Sequence, residues 1–411
     1  MRVLYVTPYV PSRIRVRPYQ LIKVLSRTHE ILLVSLLCDD YEREMVEDIA
    51  QYCVSVDLIS LPKWRAYANC LKALPTQMPL RVAYYQSSSF VKLLQQVIRD
   101  HKIEVIHGEL IKVAPMLHTI QQQEHIPIIY DSVDCISFYL KQQWAASGNR
   151  FKRAFVYSEL KKMEHFEPHL LSTFEHVVIT SAYDKQLLQA FSEQLEHIQV
   201  VSNGVDTEYF TPRSAARIAD SLVFCAKLDY YPNAQAILLF CQHILPLVWQ
   251  RRPQVRLTIV GNNPPPAVRA LSADQRIVVT GYVPDIRPYL ASAAVALSPL
   301  VVAAGMQNKV LEALAMETPM VATPGSCRSL QTIDEKHLLI AEGPQAFARA
   351  IVRLLENPQL AEELGTTGRQ YVVEKHSWRQ AARTLSALYQ SVIQQRELSR
   401  HLVGARSESL S

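Results

Sequence analysis

The chain lacks most of the short signatures that tie a sequence to a chemistry. Its seven cysteines, at 38, 53, 70, 135, 225, 241 and 327, are odd in number, and no two make a C-x-x-C pair. That argues against a disulfide framework and a zinc knuckle, and points to a reduced, cytoplasmic setting. No apolar run approaches the roughly 18–20 residues that a membrane-spanning helix needs. The first strand-like run, MRVLYVTPYV, begins at the N-terminus, so no signal peptide is expected. There is no G-x-x-x-x-G-K-[ST] phosphate loop, and no G-x-G-x-x-G follows the first strand. No D-x-D pair is present to hold a metal ion. His165 and His169 share a helix face, yet Phe166 stands where H-E-x-x-H has its glutamate, so a solvated face is the simpler reading. Neither Ser181 nor Cys327 has a neighbouring pattern that would make it a nucleophile.

What is present fits a two-domain α/β protein. At 411 residues the chain exceeds one ordinary core, and two domains of about 150–200 residues each are the natural expectation. A content of 49% apolar and 20% charged residues is that of an ordinary globular protein. The net charge of +5 is spread unevenly: from Leu58 to Arg99 there are six Lys/Arg and no acidic residue, interleaved with Trp64, Tyr67, Tyr84, Tyr85 and Phe90. Such a stretch suits anionic headgroups at the inner face of a membrane, where each Lys/Arg is worth roughly 1 kcal/mol. The alternative is a solvated loop and helix that lack carboxylates. No nucleic-acid partner is expected.

Short apolar runs alternate with helical patterns from end to end. RVLYVTP, ILLVSLL, VSVDLISL, IEVIHGEL, IPIIYDSV, EHVVITS and HIQVVSN read as strands in the first half. LVFCAKL, VRLTIVG, RIVVTG, AAVALSP, PMVATP and HLLIAEG repeat the pattern in the second. Continuous rather than alternating hydrophobicity marks strands buried on both faces, hence parallel sheets covered by helices. The expected fold is α/β, with two doubly wound, Rossmann-like domains whose switch points face a cleft. The first domain is expected to span residues 1–205 and the second 206–375. Residues 376–411 are read as closing helices that pack back toward the first domain and end, after about Leu398, in a frayed polar tail.

The stretch AAGMQNKVLEALAMETPMVAT, residues 303–323, holds the main puzzle: a lysine and a glutamate sit three apart among core-type residues. An unpaired buried carboxylate costs several kcal/mol or more, so something polar must come to meet that helix end. The expected helix is 305–316, opened by Gly305 just after the strand AAVALSP. Its N-terminus is a ready anion site. Lys309, one turn inside, can reach the same anion, and Glu312, a turn further, can accept two hydrogen bonds from a vicinal diol such as a ribose. The plain alternative is an exposed i,i+3 ion pair worth a few tenths of a kcal/mol.

The segment VTGYVPDIRPYLASAAVALSPLVVAAGMQNKVLEALAMETPMVAT, with VSNGVDTEYFTP, FCAKLDYYPNAQAI, IVGNNPPPAVRAL and the late HSW, resembles family 4 glycosyltransferases. These are retaining enzymes of the GT-B fold, and the QNKVLEA wording is nearest to sugar transferases of exopolysaccharide gene clusters. The resemblance implies a metal-independent, hexosyltransferase-type enzyme without cofactor, taking a sugar from a nucleotide sugar to a glycan, lipid-linked or small-molecule acceptor. Glu312 matches the second glutamate of the E-x7-E motif, which binds the donor ribose, while Ala304 replaces the first, which touches the donor sugar. Gly305, Met306 and Gln307 would offer backbone amides to the diphosphate, with Lys309 and Lys227 as its cations. Tyr282 and Val283 fall where the family's backbone reads the base. Glu317 replaces the glycine that usually follows this helix, and would cost about 1 kcal/mol in a left-handed cap.

In the first half, Arg13, Arg15 and Arg17 follow the first strand, where relatives often have a glycine pair. Arginines grip phosphate bidentately, so this loop is a candidate for the donor diphosphate or an acceptor phosphate. His107 and Glu109 end one strand, at the family's H-x-H/E position, and Asp131 and Asp134 end the next. Each is a candidate to orient or deprotonate an acceptor hydroxyl; for His107 a histidine bonded within the sheet is the alternative. Two other functions stay open at this point: a catalytically silent nucleotide-binding subunit, motivated by Ala304, and a sugar-nucleotide epimerase on the same fold.

Overall fold

The computed structural model describes residues 1–191, 195, 197–212, 216–301 and 305–408. The chain forms two compact units, one of residues 1–202 with 378–411, the other of residues 203–377. The chain passes from one to the other at Ser202–Asn203 and returns at Ser377–Trp378.

The first unit carries β1 (Arg2–Thr7), β2 (Glu30–Leu37), β3 (Ser55–Ser60), β4 (Val105–Glu109), β5 (Ile128–Val133), β6 (His176–Ile179) and β7 (Gln199–Val200). All pair in parallel, in the order β3-β2-β1-β4-β5-β6-β7. The order reverses between β1 and β4, so the carboxyl ends of those two strands frame the unit's crevice. Alternate residues of β1 serve different cores. Leu4 and Val6 pack with Phe90, Leu94 and Leu117 on one face. Val3 and Tyr5 pack with Leu21, Ile22, Leu385 and Tyr389 on the other. Each fully buried aliphatic side chain contributes about 1.5–3 kcal/mol, and both faces must be covered to collect it. Cover for the second face comes from Val16–Leu25 and from the first turns of the last helix, Trp378–Glu408, whose Ser386 hydroxyl meets His29 Nε2 at 2.8 Å. That helix runs on past the expected end at Leu398.

The second unit holds β8 (Ile218–Cys225), β9 (Arg256–Val260), β10 (Ile277–Gly281), β11 (Ala293–Ser298), β12 (Met320–Ala322) and β13 (Leu339–Ile340). They too are parallel, in the order β10-β9-β8-β11-β12-β13, with the reversal between β8 and β11. Leu222 and Phe224 face one core and Val223 and Cys225 the other. Two doubly wound, Rossmann-like domains, as expected, make up the chain.

The helix after β11 differs from expectation. It spans Asn308–Ala315, not 305–316. Gly305 has φ +60°, a left-handed turn residue before the helix rather than its first residue. Glu317 does adopt the left-handed conformation, φ +55°. Its carbonyl accepts from Arg217 Nη2 at 2.6 Å, which offsets part of the roughly 1 kcal/mol that a side chain costs there.

Candidate active site

Both switch points carry charge, and they carry it in opposite ways. In the second unit the helix Asn308–Ala315 starts behind Gly305, the buried Met306 and Gln307, and no side chain caps its first turn. Lys309 therefore sits in that first turn, with Glu312 one turn on. Lys309 Nζ donates to Asn233 Oδ1 at 2.9 Å and to Gln307 Oε1 at 3.2 Å, both neutral acceptors. Burial draws the ammonium down to about 8, although Glu312 raises it. Burial likewise pushes the Glu312 carboxyl up to about 7, with Lys309 pulling the other way. The two form no ion pair, and the Glu312 carboxylate accepts no hydrogen bond among the described residues. An exposed i,i+3 pair is thereby replaced by two half-buried, mutually incomplete charges. Ala304 lies outside the described residues, as does Ala303.

Asn233 escaped the sequence reading. It stands in the first turn of the helix Tyr231–Leu239, just after β8, and is buried. While its oxygen holds Lys309, its Nδ2 donates to the Lys227 carbonyl at 2.8 Å. One amide thus ties the loop after β8 to the helix after β11, across the switch point. The signal available was a proline-asparagine pair at a helix start, too common to single out. Lys227 itself is half-exposed, with its Nζ 3.7 Å from Asp229. Tyr282 and Val283 follow Gly281, whose φ of +69° turns the chain out of β10; Tyr282 is exposed and Val283 half-buried.

In the first unit the candidate residues converge on one another. Arg17 reaches Asp131 Oδ2 through Nε at 2.9 Å and Nη2 at 2.6 Å, and donates to the Val201 carbonyl at 3.1 Å. His107 Nε2 lies 3.5 Å from the same oxygen, and its Nδ1 is 2.9 Å from the Tyr389 hydroxyl. Tyr5 stacks on His107 and donates to Glu109 Oε2 at 2.9 Å. His107, Glu109 and Asp131 are at most 1% exposed. Burial lowers the His107 pKa, so the ring is neutral. Burial would raise Asp131, but Arg17 and then His107 outweigh it and keep the carboxylate ionised. Glu109 is pushed up to about 8, first by burial and then by the Asp131 charge. The charges are paired through Arg17 and Asp131, His107 Nε2 is left without a hydrogen-bond partner among the described residues, and none of these three reaches a solvent-facing surface.

The other candidates stand apart from it. Asp134 is half-buried after β5 and forms no hydrogen bond through its carboxylate among the described residues. Burial and then the Asp184 charge push it up to about 7. Just before it Val133 is held at φ +67°, and Leu110, after β4, at φ +76°. Branched or bulky residues are rare there, and such strain gathers at functional sites. Of the three arginines, Arg13 is exposed and paired with Asp48 at 3.0 Å, Arg17 is the buried partner of Asp131, and Arg15 pairs with Glu42. No arginine of the three is left with an uncommitted fork. The cation that does stand at the switch point is Lys112, three residues past Glu109. Its Nζ lies 5.6 Å from the Tyr9 ring centroid, 4.5 Å from that of Tyr85 and 3.1 Å from the Tyr85 hydroxyl. Arg15 shares the Tyr9 ring at 4.2 Å. Among the described residues Lys112 has no carboxylate within ion-pair distance, and burial brings it down to about 8, with Arg15 and Arg81 adding to the fall.

Residues 219–357 match the family described as glycosyl transferases group 1. Over 307 residues, 71% of this chain and 70% of the other, the sequence is 26% identical to the MMP α-(1→4)-mannosyltransferase of Mycolicibacterium hassiacum. Among solved structures, the sucrose-phosphate synthase of Thermosynechococcus elongatus superposes with a TM-score of 0.73 at 17% identity. The match covers 95% of this chain and 99% of that one. Anabaena HepE in complex with UDP and glucose superposes with a TM-score of 0.70 at 14% identity, covering 95% of this chain and 100% of that one.

Proposed function

We propose that this chain, a glycosyltransferase of the GT-B fold whose residues 219–357 form a group 1 domain, uses a nucleoside-diphosphate sugar and transfers its sugar with retention, without a bound metal. The observation that carries the reading is the pair Lys309 and Glu312. A cation met, among the described residues, by neutral amide oxygens, beside an uncapped helix N-terminus, is what a diphosphate needs; a carboxylate with open acceptor sites a turn away is what a ribose diol needs. The named complex of HepE, which holds UDP and glucose, supports a uridine donor as the first to try.

In the reaction so proposed, the bond from the anomeric carbon to the diphosphate oxygen breaks on the face where the acceptor oxygen bonds. The acceptor proton passes to the departing diphosphate. Lys309, Lys227 and the amides at 305–307 stabilise the leaving charge, the part a metal plays elsewhere. No protein nucleophile is needed. For the first unit the proposal shifts the acceptor role from His107, Glu109 and Asp131, which are fully buried, to Asp134 and the Lys112–Tyr9–Tyr85 group. A cation flanked by aromatic rings suits an acceptor bearing a negative group next to a sugar face.

The test is calorimetry and thermal shift with UDP, GDP and ADP against wild type and Glu312→Ala. At 100 times its Kd a ligand stabilises by about 2.7 kcal/mol. One nucleotide that stabilises the wild type and not the variant is the expected result; no binding by any of them would end the proposal. Retention is read from the anomeric configuration of the product by NMR, and metal independence from activity held in excess EDTA.

A further inference from the structure

The helix Lys63–Ala73 is built inside out. Its inward face carries Ala66, Asn69, Cys70 and Ala73: the two alanines are buried, Asn69 donates to the Gln86 carbonyl at 2.8 Å, and Cys70 meets the Leu80 carbonyl at 3.7 Å. Its outward face carries the large apolar residues. Trp64, Tyr67, Leu71 and Leu74 are between 56% and 72% exposed. At about 3.6 residues per turn these four lie within roughly 80° of the helix circumference. A globular surface helix puts such a stripe toward its core; here nothing among the described residues covers it.

A second apolar strip adjoins the first. Lys162 Nζ caps the carbonyls of Ala73 and Leu74 at 3.4 and 3.2 Å, which sets the helix Arg150–Ser172 against the end of the stripe. Phe155 and Phe151 share that helix face with Lys162, about 10 and 16 Å toward its N-terminus. They are 57% and 89% exposed.

The charges nearby have one sign. Lys72 has no carboxylate partner among the described residues, Arg65 spends its guanidinium on the Ser88 and Ser89 hydroxyls, and Arg150, Lys152 and Arg153 open the second helix. Of the carboxylates within reach, Glu159 is turned inward to the N–H groups of Leu80 and Arg81, and Glu164 is paired with Lys161. Asp39 is the exception, 3.0 Å from Lys63. The other aromatics of the basic stretch are not part of the face: Phe90 is fully buried, and Tyr84 and Tyr85 pack on the core.

We propose that Trp64, Tyr67, Leu71 and Leu74, with Phe151 and Phe155 beside them, seat this protein on the surface of an anionic phospholipid bilayer. The rings and leucines enter the headgroup boundary while Lys72 and the Arg150–Arg153 cations meet the lipid charge. Among the described residues no helix is long and apolar enough to cross a membrane, so the contact is one of lying on, not spanning. The surface is independent of the donor site.

The full chain is sedimented with vesicles of phosphatidylcholine alone and of phosphatidylcholine with phosphatidylglycerol. Wild type binds the anionic vesicles, less as salt rises, and the neutral ones weakly. The double variant Trp64→Ala, Leu71→Ala loses at least about tenfold in partition to both. Lys72→Glu loses only the anionic preference. Both variants keep the wild-type melting temperature and nucleotide-induced shift, which separates lost docking from lost folding and from failure of the donor site. The proposal is overturned if wild type binds neither vesicle, or if the double variant binds as well as wild type. It is equally overturned if the stripe proves to join two copies, with a wild-type dimer that the double variant turns to monomer and no lipid binding.

Discussion

The two switch points set similar residues to opposite uses. At the first, Arg17 pairs with Asp131, Tyr5 donates to Glu109 and Tyr389 meets His107 Nδ1, while His107 Nε2, 3.5 Å from Asp131, makes no hydrogen bond among the described residues. At the second, Lys309 and Glu312 are also withdrawn from water, yet neither completes the other. Desolvation is costly in both places. In the first unit the Arg17–Asp131 pair offsets it within the fold; in the second it is left for a ligand to offset. Charge that is satisfied internally is architecture, and charge held half-buried without its opposite is a site.

That contrast is broken most sharply at Asp131. Asp131→Asn leaves the Arg17 guanidinium buried without its counter-charge, a loss of about 3–5 kcal/mol. We expect a large fall in the first unit's unfolding midpoint, with nucleotide affinity of the remaining folded protein unchanged. An Asp131→Asn protein that folds as stably as wild type would show that the cluster is not structural.

Glu312→Ala should give the mirror image. Two charge-assisted hydrogen bonds to a diol are lost, roughly 3 kcal/mol or about a hundredfold in donor Kd. Stability moves the other way. A carboxyl raised from 4.5 to about 7 in the fold holds its proton more tightly there than when unfolded. The stability this lends is full below the unfolded value and is lost as pH rises through the folded one. Above pH 7 the isosteric Glu312→Gln should therefore melt higher than wild type while binding donor worse. Asn233→Ala, which frees both the Lys227 carbonyl and the Lys309 ammonium, should cost about 1–2 kcal/mol of donor affinity, seen by calorimetry with Glu312 intact. Equal affinities would mean that Asn233 does not set Lys309's position.

Much of this was readable along the chain, because strands buried on both faces are unbroken apolar runs. All thirteen runs, from RVLYVTP to HLLIAEG, became strands. Local geometry was less legible. A glycine before a helix can open it or turn into it, and Gly305 does the second. The helix Lys63–Ala73 escaped notice because its core-facing side is made of small residues and its large ones face out. Long-range pairing was not legible at all. Arg17 meets Asp131 across 114 residues, and Lys309 meets Asn233 across 76, so nothing local told a phosphate-gripping arginine from a buried one. Lys309 and Glu312 could be singled out because a core-type helix with two charges is anomalous within a single turn.

The finest test of the contrast is pH. In the free enzyme Glu312 must be ionised to accept from a diol, and it gains its charge near pH 7. Lys309 must stay charged to meet a diphosphate, and it loses its proton near pH 8. The kcat/KM for donor, which reports the free enzyme, should therefore rise through about pH 7 and fall above about pH 8, a narrow bell. Each limb has an owner. Glu312→Gln should flatten the acid limb and keep the alkaline one, at a lower plateau. Lys309→Arg, whose guanidinium does not titrate in this range, should flatten the alkaline limb and keep the acid one. The buried His107 and Asp131, both drawn below their ordinary values, should leave no mark on the alkaline limb. A profile flat from pH 6 to 9 would mean that neither charge waits on the ligand, and the distinction between the two switch points would fall.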